Sequence, residues 1–378
     1  MVERLLTPDP ATTTVRERLR VVAASVRSGL VLAASVLVLV ALGGEAYFRL
    51  PWVPRRLAYD ADPELGGGVI APDQRATDWL ANMSMRTPPM AINSEGRRGR
   101  ETDWSKPVVL TVGDSQWFGV GVEDDEVWTV LLEAKFREGL HDDGIQVVNA
   151  AQPGYGPEHQ TVVLRRIVAA HAVKLILVRV TVGQTNFRTP RGDAARIEFE
   201  RAQRRKILRG LTSFGPFLLD KIRAQEASVE QALVPHFLRR SAPVADDDAA
   251  GTAMWDCFAP AWREMVRHAI ERQATIVFVV DNVENLTAND WLANRLREEF
   301  ADIPGVHVLP LGPEAFGLAP LPHAEITRLV HDTLTLGRDP HGNAEFHRRT
   351  AAAVWEGLRA RHLSSVILPQ GGRPETHG

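Results

Sequence analysis

The sequence predicts an α/β protein: a parallel sheet with helices on both faces. Three observations carry this. Short apolar, β-branched runs at residues 107–112, 145–150, 175–182, 274–280 and 306–309 read as strands. Helical patterns separate or follow them, at 127–132, 159–171, 260–273, 291–300 and 344–361. Each of the first three runs ends in a polar or glycine-rich stretch, the chemistry expected of loops at the carboxyl edge of such a sheet. Strands that alternate with helices imply parallel order and a sheet buried on both sides.

The first run sets the frame. It ends at Gly113-Asp114-Ser115, so a hydroxyl is presented where ligands bind in open α/β sheets. Gly119 and Gly121 keep the next turn open, and acids at 123–126 suit the start of the following helix. The second run leads into Ala151 to Gly156, AQPGYG, and the third into Gly183-Gln184-Thr185-Asn186. Residues 187–257 interrupt the alternation with charged, helix-prone sequence and read as an insertion or lid. After the fifth run comes Gly337 to Asn343, GRDPHGN, and then the last helix. Residues 365–378 are expected to be disordered, being rich in Gly and Pro from Pro369.

The 378 residues can bury one large core with insertions or two small ones. A formal net charge of −3 argues against an electrostatic nucleic-acid binder. There is no zinc-type Cys/His spacing, Walker loop or dinucleotide glycine loop, so neither metal nor nucleotide cofactor is expected. The lone Cys257 cannot form an internal disulfide and is expected to be a buried, inert thiol.

Residues 28–44 carry no charge and are mostly Leu, Val and Ala, at the short end of the roughly 17–25 residues that cross a bilayer. Arg16, Arg18, Arg20 and Arg27 precede them; Tyr47, Phe48 and Trp52 follow as an interfacial belt would. A transmembrane helix at 28–50 therefore places residues 1–27 in the cytoplasm and the rest outside. A cleaved signal peptide is the first alternative, with a small-residue site near Ala41, although the stretch before the apolar run is long for one. A buried soluble helix is the second, but nothing breaks the apolar run on any face. Residues 1–15 read as loose, and residues 51–106 as an extended lead-in without sustained periodicity.

Four ordered blocks on this frame resemble the SGNH/GDSL hydrolase superfamily, most closely its membrane-anchored bacterial members. They are Asn93-Ser94-Glu95-Gly96-Arg97-Arg98, Gly113-Asp114-Ser115 with Phe118 to Asp124, Asn149 to Gly156, and Asp339-x-His341-x-Asn343. The resemblance covers about residues 92–186 and 337–358. It implies a flavodoxin-like three-layer αβα sandwich over 107–364 and ester hydrolysis or acyl transfer without a cofactor. It makes Ser115 the nucleophile, His341 its general base and Asp339 the group that orients the imidazole. The backbone N–H groups of Ser115 and Gly154 would form the oxyanion hole.

The third block departs from the family pattern: Gly183 stands where the oxyanion-hole asparagine belongs. Gln184 or Asn186 then supplies the missing amide from a shifted loop, with Asn186 favoured, or that donor is absent. His341 is preferred over His347 because it precedes Asn343 ahead of the helix. His159, His171 and His323 are left as surface or core residues. The expected enzyme is a membrane-anchored serine esterase or O-acyltransferase. Its substrate would be a small acyl ester, with acetyl groups on an envelope glycan in view, and it would make no contact with nucleic acid. The rival is a catalytically degenerate domain that binds glycan or partner proteins.

Overall fold

The computed structural model describes residues 10–49, 55–65, 68–77, 79–80, 85–181, 248–281, 286–318, 322–336 and 339–368. The chain divides into a unit that holds the first helix and a second unit that begins at Pro54.

The first unit contains α1, Pro10–Arg49, a continuous helix of 40 residues. Its stretch Ser25–Gly44 is long and apolar enough to cross a bilayer, and none of it is buried in the protein. Twenty residues at about 1.5 Å each match a hydrocarbon core of about 30 Å. The helix starts at Pro10, so residues 10–15 are helical rather than loose.

The second unit is a three-layer sandwich. Besides five two-residue strands between Arg55 and Arg86 and three short 3-10 turns, its elements among the described residues are, in chain order, β1 (Gln74–Thr77), β2 (Met90–Ile92), β3 (Val108–Val112), α2 (Ser115–Phe118), α3 (Trp128–Leu140), β4 (Gln146–Asn149), α4 (Pro157–Ala170), β5 (Leu175–Val180), α5 (Asp248–Glu271), β6 (Thr275–Val280), α6 (Leu286–Phe300), β7 (Val306–Pro310), α7 (His323–Thr333), β8 (Thr335–Leu336), β9 (Asp339–Gly342) and α8 (Ala344–Ala360). Five strands form one parallel sheet in the order β7-β6-β5-β3-β4. The order reverses at β3: the chain runs from β3 to its neighbour β4 and then crosses to β5 on β3's other side. Such a switch opens a crevice at the carboxyl ends of the strands, and Ser115 lies there.

Side chains divide between the faces with the two-residue period of a strand. Val109, Leu175, Leu177, Val277 and Val279 join α3 and α8 in one core. Val108, Leu110, Val112, Ile176, Val178 and Phe278 join α4, α5 and α6 in the other. Burial on both sides is why these strands read as continuous apolar runs rather than alternating ones.

Several expectations are corrected. Leu57, Ile70, Ala76, Met90 and Ile92 belong to the first core, so much of 51–106 is an integral part of the domain rather than a lead-in. Its strands are two to four residues long, too short to show a period in sequence. The insertion expected over 187–257 lies outside the described residues as far as 247. Residues 248–257 belong to α5, which continues through Pro260. An internal proline removes one helical hydrogen bond, but buried Trp255, Phe258, Trp262 and Met265 hold the helix to the sheet. Cys257 is exposed, not buried. Residues 364–367 form a turn with Ile367 buried, so the ordered chain extends past 364; residues 369–378 lie outside the described ones.

Candidate active site

Ser115 is placed by the turn that ends β3. Asp114 has extended backbone and caps α2, its Oδ1 accepting from the Gln116 N–H at 3.0 Å. Gly119 ends the turn with φ of 85°, a left-handed conformation that favours glycine. Gly113 has a second requirement. A Cβ there would stand 3.0 Å from the Trp117 Cβ and 3.2 Å from the Arg179 Cβ. Ser115 is thus the first residue of a four-residue helix at the sheet's carboxyl edge.

His341 arrives from a different part of the chain. β8 and β9 form a short antiparallel hairpin. Asn343 then caps α8, accepting from the Phe346 N–H and donating to the Thr333 and Thr335 carbonyls. These bonds fix the backbone beside His341. The His341 Nε2 stands 2.8 Å from the Ser115 Oγ. Next to it, the Gly342 N–H donates to the Gln116 Oε1 at 2.9 Å. With Nε2 unprotonated, the serine hydroxyl donates to the imidazole, the arrangement a general base needs.

The loop after β4 lies beside the serine turn. Asn149 joins them: its Nδ2 donates to the Trp117 carbonyl at 3.1 Å, and its Oδ1 accepts from the Ala151 N–H. The Gln152 N–H donates to the Gly113 carbonyl. Gly154 takes a φ of 79° in the turn that follows. The loop is pinned from its far side by the early part of the domain, through Ile70 N–H to Gln152 and the Tyr155 hydroxyl to the Gly68 carbonyl.

Two arginines support the serine turn. Arg98, buried, donates to the carbonyls of Phe118, Gly119 and Val122 and pairs with Asp124 at 3.1 Å. Asp124 in turn accepts from the Ala91 N–H. Beneath the turn, Arg179 donates to Asp114 Oδ2 at 2.5 Å and to Asp281 Oδ1 at 2.6 Å. The Trp117 indole N–H donates to Asp281 Oδ2 at 2.8 Å. Burial pushes the Asp281 carboxyl up against the opposing pull of Arg179 and Trp117.

His347 is turned to α3, with no hydrogen bond to the serine. It is fully buried, and its Nδ1 accepts from the Trp128 N–H, capping α3 where Val127 offers no side-chain acceptor. Burial, with Arg98, His341 and Arg179 adding to it, lowers its pKa from 6.5 to about 3. This imidazole is neutral near pH 7 and serves the helix.

The structure therefore brings Ser115 and His341 together, and sets Gly154 on the loop after the neighbouring strand. Asp339 has its backbone in β9, while its side chain lies outside the described residues, as do Gly183, Gln184 and Asn186. The helix after His341 is capped by Asn343, so that duty does not fall to Asp339. His159 is buried with Nδ1 facing the Gly156 N–H, and His171 stacks on Trp104. Among the described residues no group of three or more His, Cys, Asp or Glu is arranged to hold a metal. Sequence reasoning passed over Arg98, Gln116, Arg179 and Asp281. Arg179 had a signal: a lone charge inside a buried apolar run must find partners.

No protein-family model and no curated protein matches the sequence. Among solved structures, the chain is similar to the psychrotrophic esterase EstA of Pseudoalteromonas, at 10% identity over 68% of this chain and 98% of that one, with a TM-score of 0.38. It is similar to a lipolytic protein of the G-D-S-L family from Desulfitobacterium hafniense, at 13% identity over 67% of this chain and 99% of that one, TM-score 0.36. A third is an acetyl-xylooligosaccharide esterase from Geobacillus, at 13% identity over 71% and 97% of the two chains, TM-score 0.36. The chain's neighbours among solved structures include esterases and two proteins described as of the GDSL type.

Proposed function

We propose that this chain is a serine esterase or O-acyltransferase of the SGNH type, tethered to the cytoplasmic membrane by α1 with its catalytic domain outside. The observation that carries the reading is the 2.8 Å approach of His341 Nε2 to Ser115 Oγ at the switch point of the sheet. Ser115 Oγ attacks the acyl carbonyl while its proton passes to His341 Nε2. The oxyanion faces the backbone N–H groups of Ser115 and Gly154; glycine at 154 leaves room for the acyl oxygen. His341 returns the proton to the departing alkoxide, leaving the acyl group on Ser115. Water or a second hydroxyl then attacks, with His341 again as base, and the acceptor alone distinguishes hydrolysis from transfer. Asp339, two residues ahead of His341, holds the imidazole and stabilises its charged form. Asn186, or Gln184, supplies a third donor to the oxyanion.

The substrate class is a small acyl ester, with acetyl on an envelope glycan the first to test, because a domain outside the membrane meets such esters there. The deciding experiment treats the full-length protein in detergent with a serine-reactive fluorophosphonate and maps the labelled residue. Labelling at Ser115 is expected. An unlabelled, folded protein would favour a domain that binds glycan or partner proteins without chemistry.

A further inference from the structure

Arg179 is an unusual residue for its place. It stands in β5, a strand whose every residue is buried, and both of its carboxylate partners are buried as well. Buried ion pairs are a poor source of stability, since apolar residues of similar volume often serve as well or better. What such a pair supplies is direction, because a guanidinium fork holds its acceptors in one plane.

The fork here ties together three neighbouring strand ends. β3 and β6 are the two strands that pair with β5. Asp114 follows β3 by two residues and Asp281 directly follows β6. The Asp114 carboxylate divides its two oxygens between the Gln116 N–H, at 3.0 Å, and Arg179 Nη1, at 2.5 Å. The guanidinium thereby sets the plane of the carboxylate that caps the serine turn. Asp281 accepts from Arg179 on Oδ1 and from the Trp117 indole on Oδ2. Ser115 is therefore flanked by two residues, Asp114 and Trp117, held by the same buried ionic unit. Gly113 belongs to the arrangement too, since a side chain there would press on Arg179 and Trp117.

We infer that Arg179 and Asp281 are positioning residues for acylation: through Asp114 and Trp117 they hold the Ser115 hydroxyl and N–H in register with His341. The inference rests on Ser115 being the nucleophile. Neither residue touches the serine, so the effect is on the geometry of attack, where a misplacement of about 1 Å costs on the order of 10²-fold in rate.

The test uses full-length protein in detergent. It compares wild type, R179K, D281N and the neutral triple variant D114N/R179M/D281N. The readouts are the fluorophosphonate labelling rate, kcat and KM on a simple acetyl ester, and the thermal unfolding midpoint. R179K keeps the charge but not the fork. The triple variant leaves no buried carboxylate unpaired and keeps a capping side chain at 114. The expected result is that folded variants label about 10²-fold more slowly, with the loss in kcat and KM little changed. Wild-type kcat in the folded variants would overturn the inference while leaving Ser115 as nucleophile. Unfolding of all three variants would assign the network to stability and overturn it as well. A wild-type protein that does not label would remove the nucleophile itself, and the inference with it.

Discussion

Ser115 and His341 lie 226 positions apart in sequence and 2.8 Å apart in space. If they work as one unit, removing either should cost nearly as much as removing both. S115A and H341A are each expected to abolish fluorophosphonate labelling with the fold retained, and the double variant should be little worse on an ester substrate. Loss of activity in H347Q with full activity in H341A would reverse the assignment of the base. His347 makes a separate prediction in pH. Its pKa is near 6.5 unfolded and about 3 folded. Between those values the unfolded chain binds a proton that the folded chain refuses, so this contribution is intact above pH 6.5 and is lost as pH falls toward 3. The slope it adds reaches about 1.4 kcal/mol per pH unit. Urea unfolding at pH 7, 5 and 4 should show a shallower loss in H347Q, which keeps an acceptor for the Trp128 N–H. Equal slopes in the two proteins would refute this.

At the scale of elements, the serine turn is too short to hold itself. Four helical residues satisfy little of their own backbone, and the surrounding segments do it instead. Arg98 donates to the carbonyls of Phe118, Gly119 and Val122, and Asn149 and the Trp128 indole donate to that of Trp117. R98A would leave the Val122 carbonyl without its donor, the Phe118 and Gly119 carbonyls with only long bonds from Asn149 and the Val122 N–H, and Asp124 without its partner, at a cost on the order of 3 kcal/mol. It should slow labelling as well, and R98K should recover only part, having no fork to reach three carbonyls. Chemical denaturation beside labelling rates checks both; unchanged values would show that the clamp is incidental. The hairpin that carries His341 depends on Gly121 in a similar way. Its φ is 93°, and a Cβ there would meet the Leu336 Cδ1. G121A should therefore destabilise the protein by about 1–2 kcal/mol from backbone strain alone, a loss that unfolding curves would detect.

At the scale of the whole molecule, the tether proposed above makes a prediction about which side of a membrane the domain occupies. Arg16, Arg18, Arg20 and Arg27 lie before or at the start of the apolar stretch of α1, and the side richer in basic residues stays in the cytoplasm. A reporter fused after Arg56 is expected to be active only outside. Reporter activity in the cytoplasm would reject the tethering proposed above. A tether that is retained should also keep residues 10–49 joined to the domain in membrane fractions. Cleavage near Ala41 would instead release a shorter form, visible by mass.

The sequence by itself determined the class of fold, because strands buried on both faces and amphipathic helices impose periods that show in a single chain. Through its resemblance to the SGNH/GDSL pattern it also singled out Ser115, Gly154 and His341 as candidates, in the Gly113-Asp114-Ser115 turn, the AQPGYG loop and the segment before Asn343. The tertiary structure decided the rest. Residues 55–106 carry too little local pattern to reveal that they close the core and that Arg98 clamps the serine turn. Arg179 and Asp281 are distant in sequence and meet only because β5 and β6 are paired in register. The preference for His341 over His347 rested on sequence position alone, and only the structure shows their environments: one imidazole faces the serine, and the other is buried against the Trp128 N–H. Local propensity is written residue by residue along the chain. Long-range partners exist only once the sheet brings distant segments together, and that juxtaposition is what makes Ser115 and His341 a site.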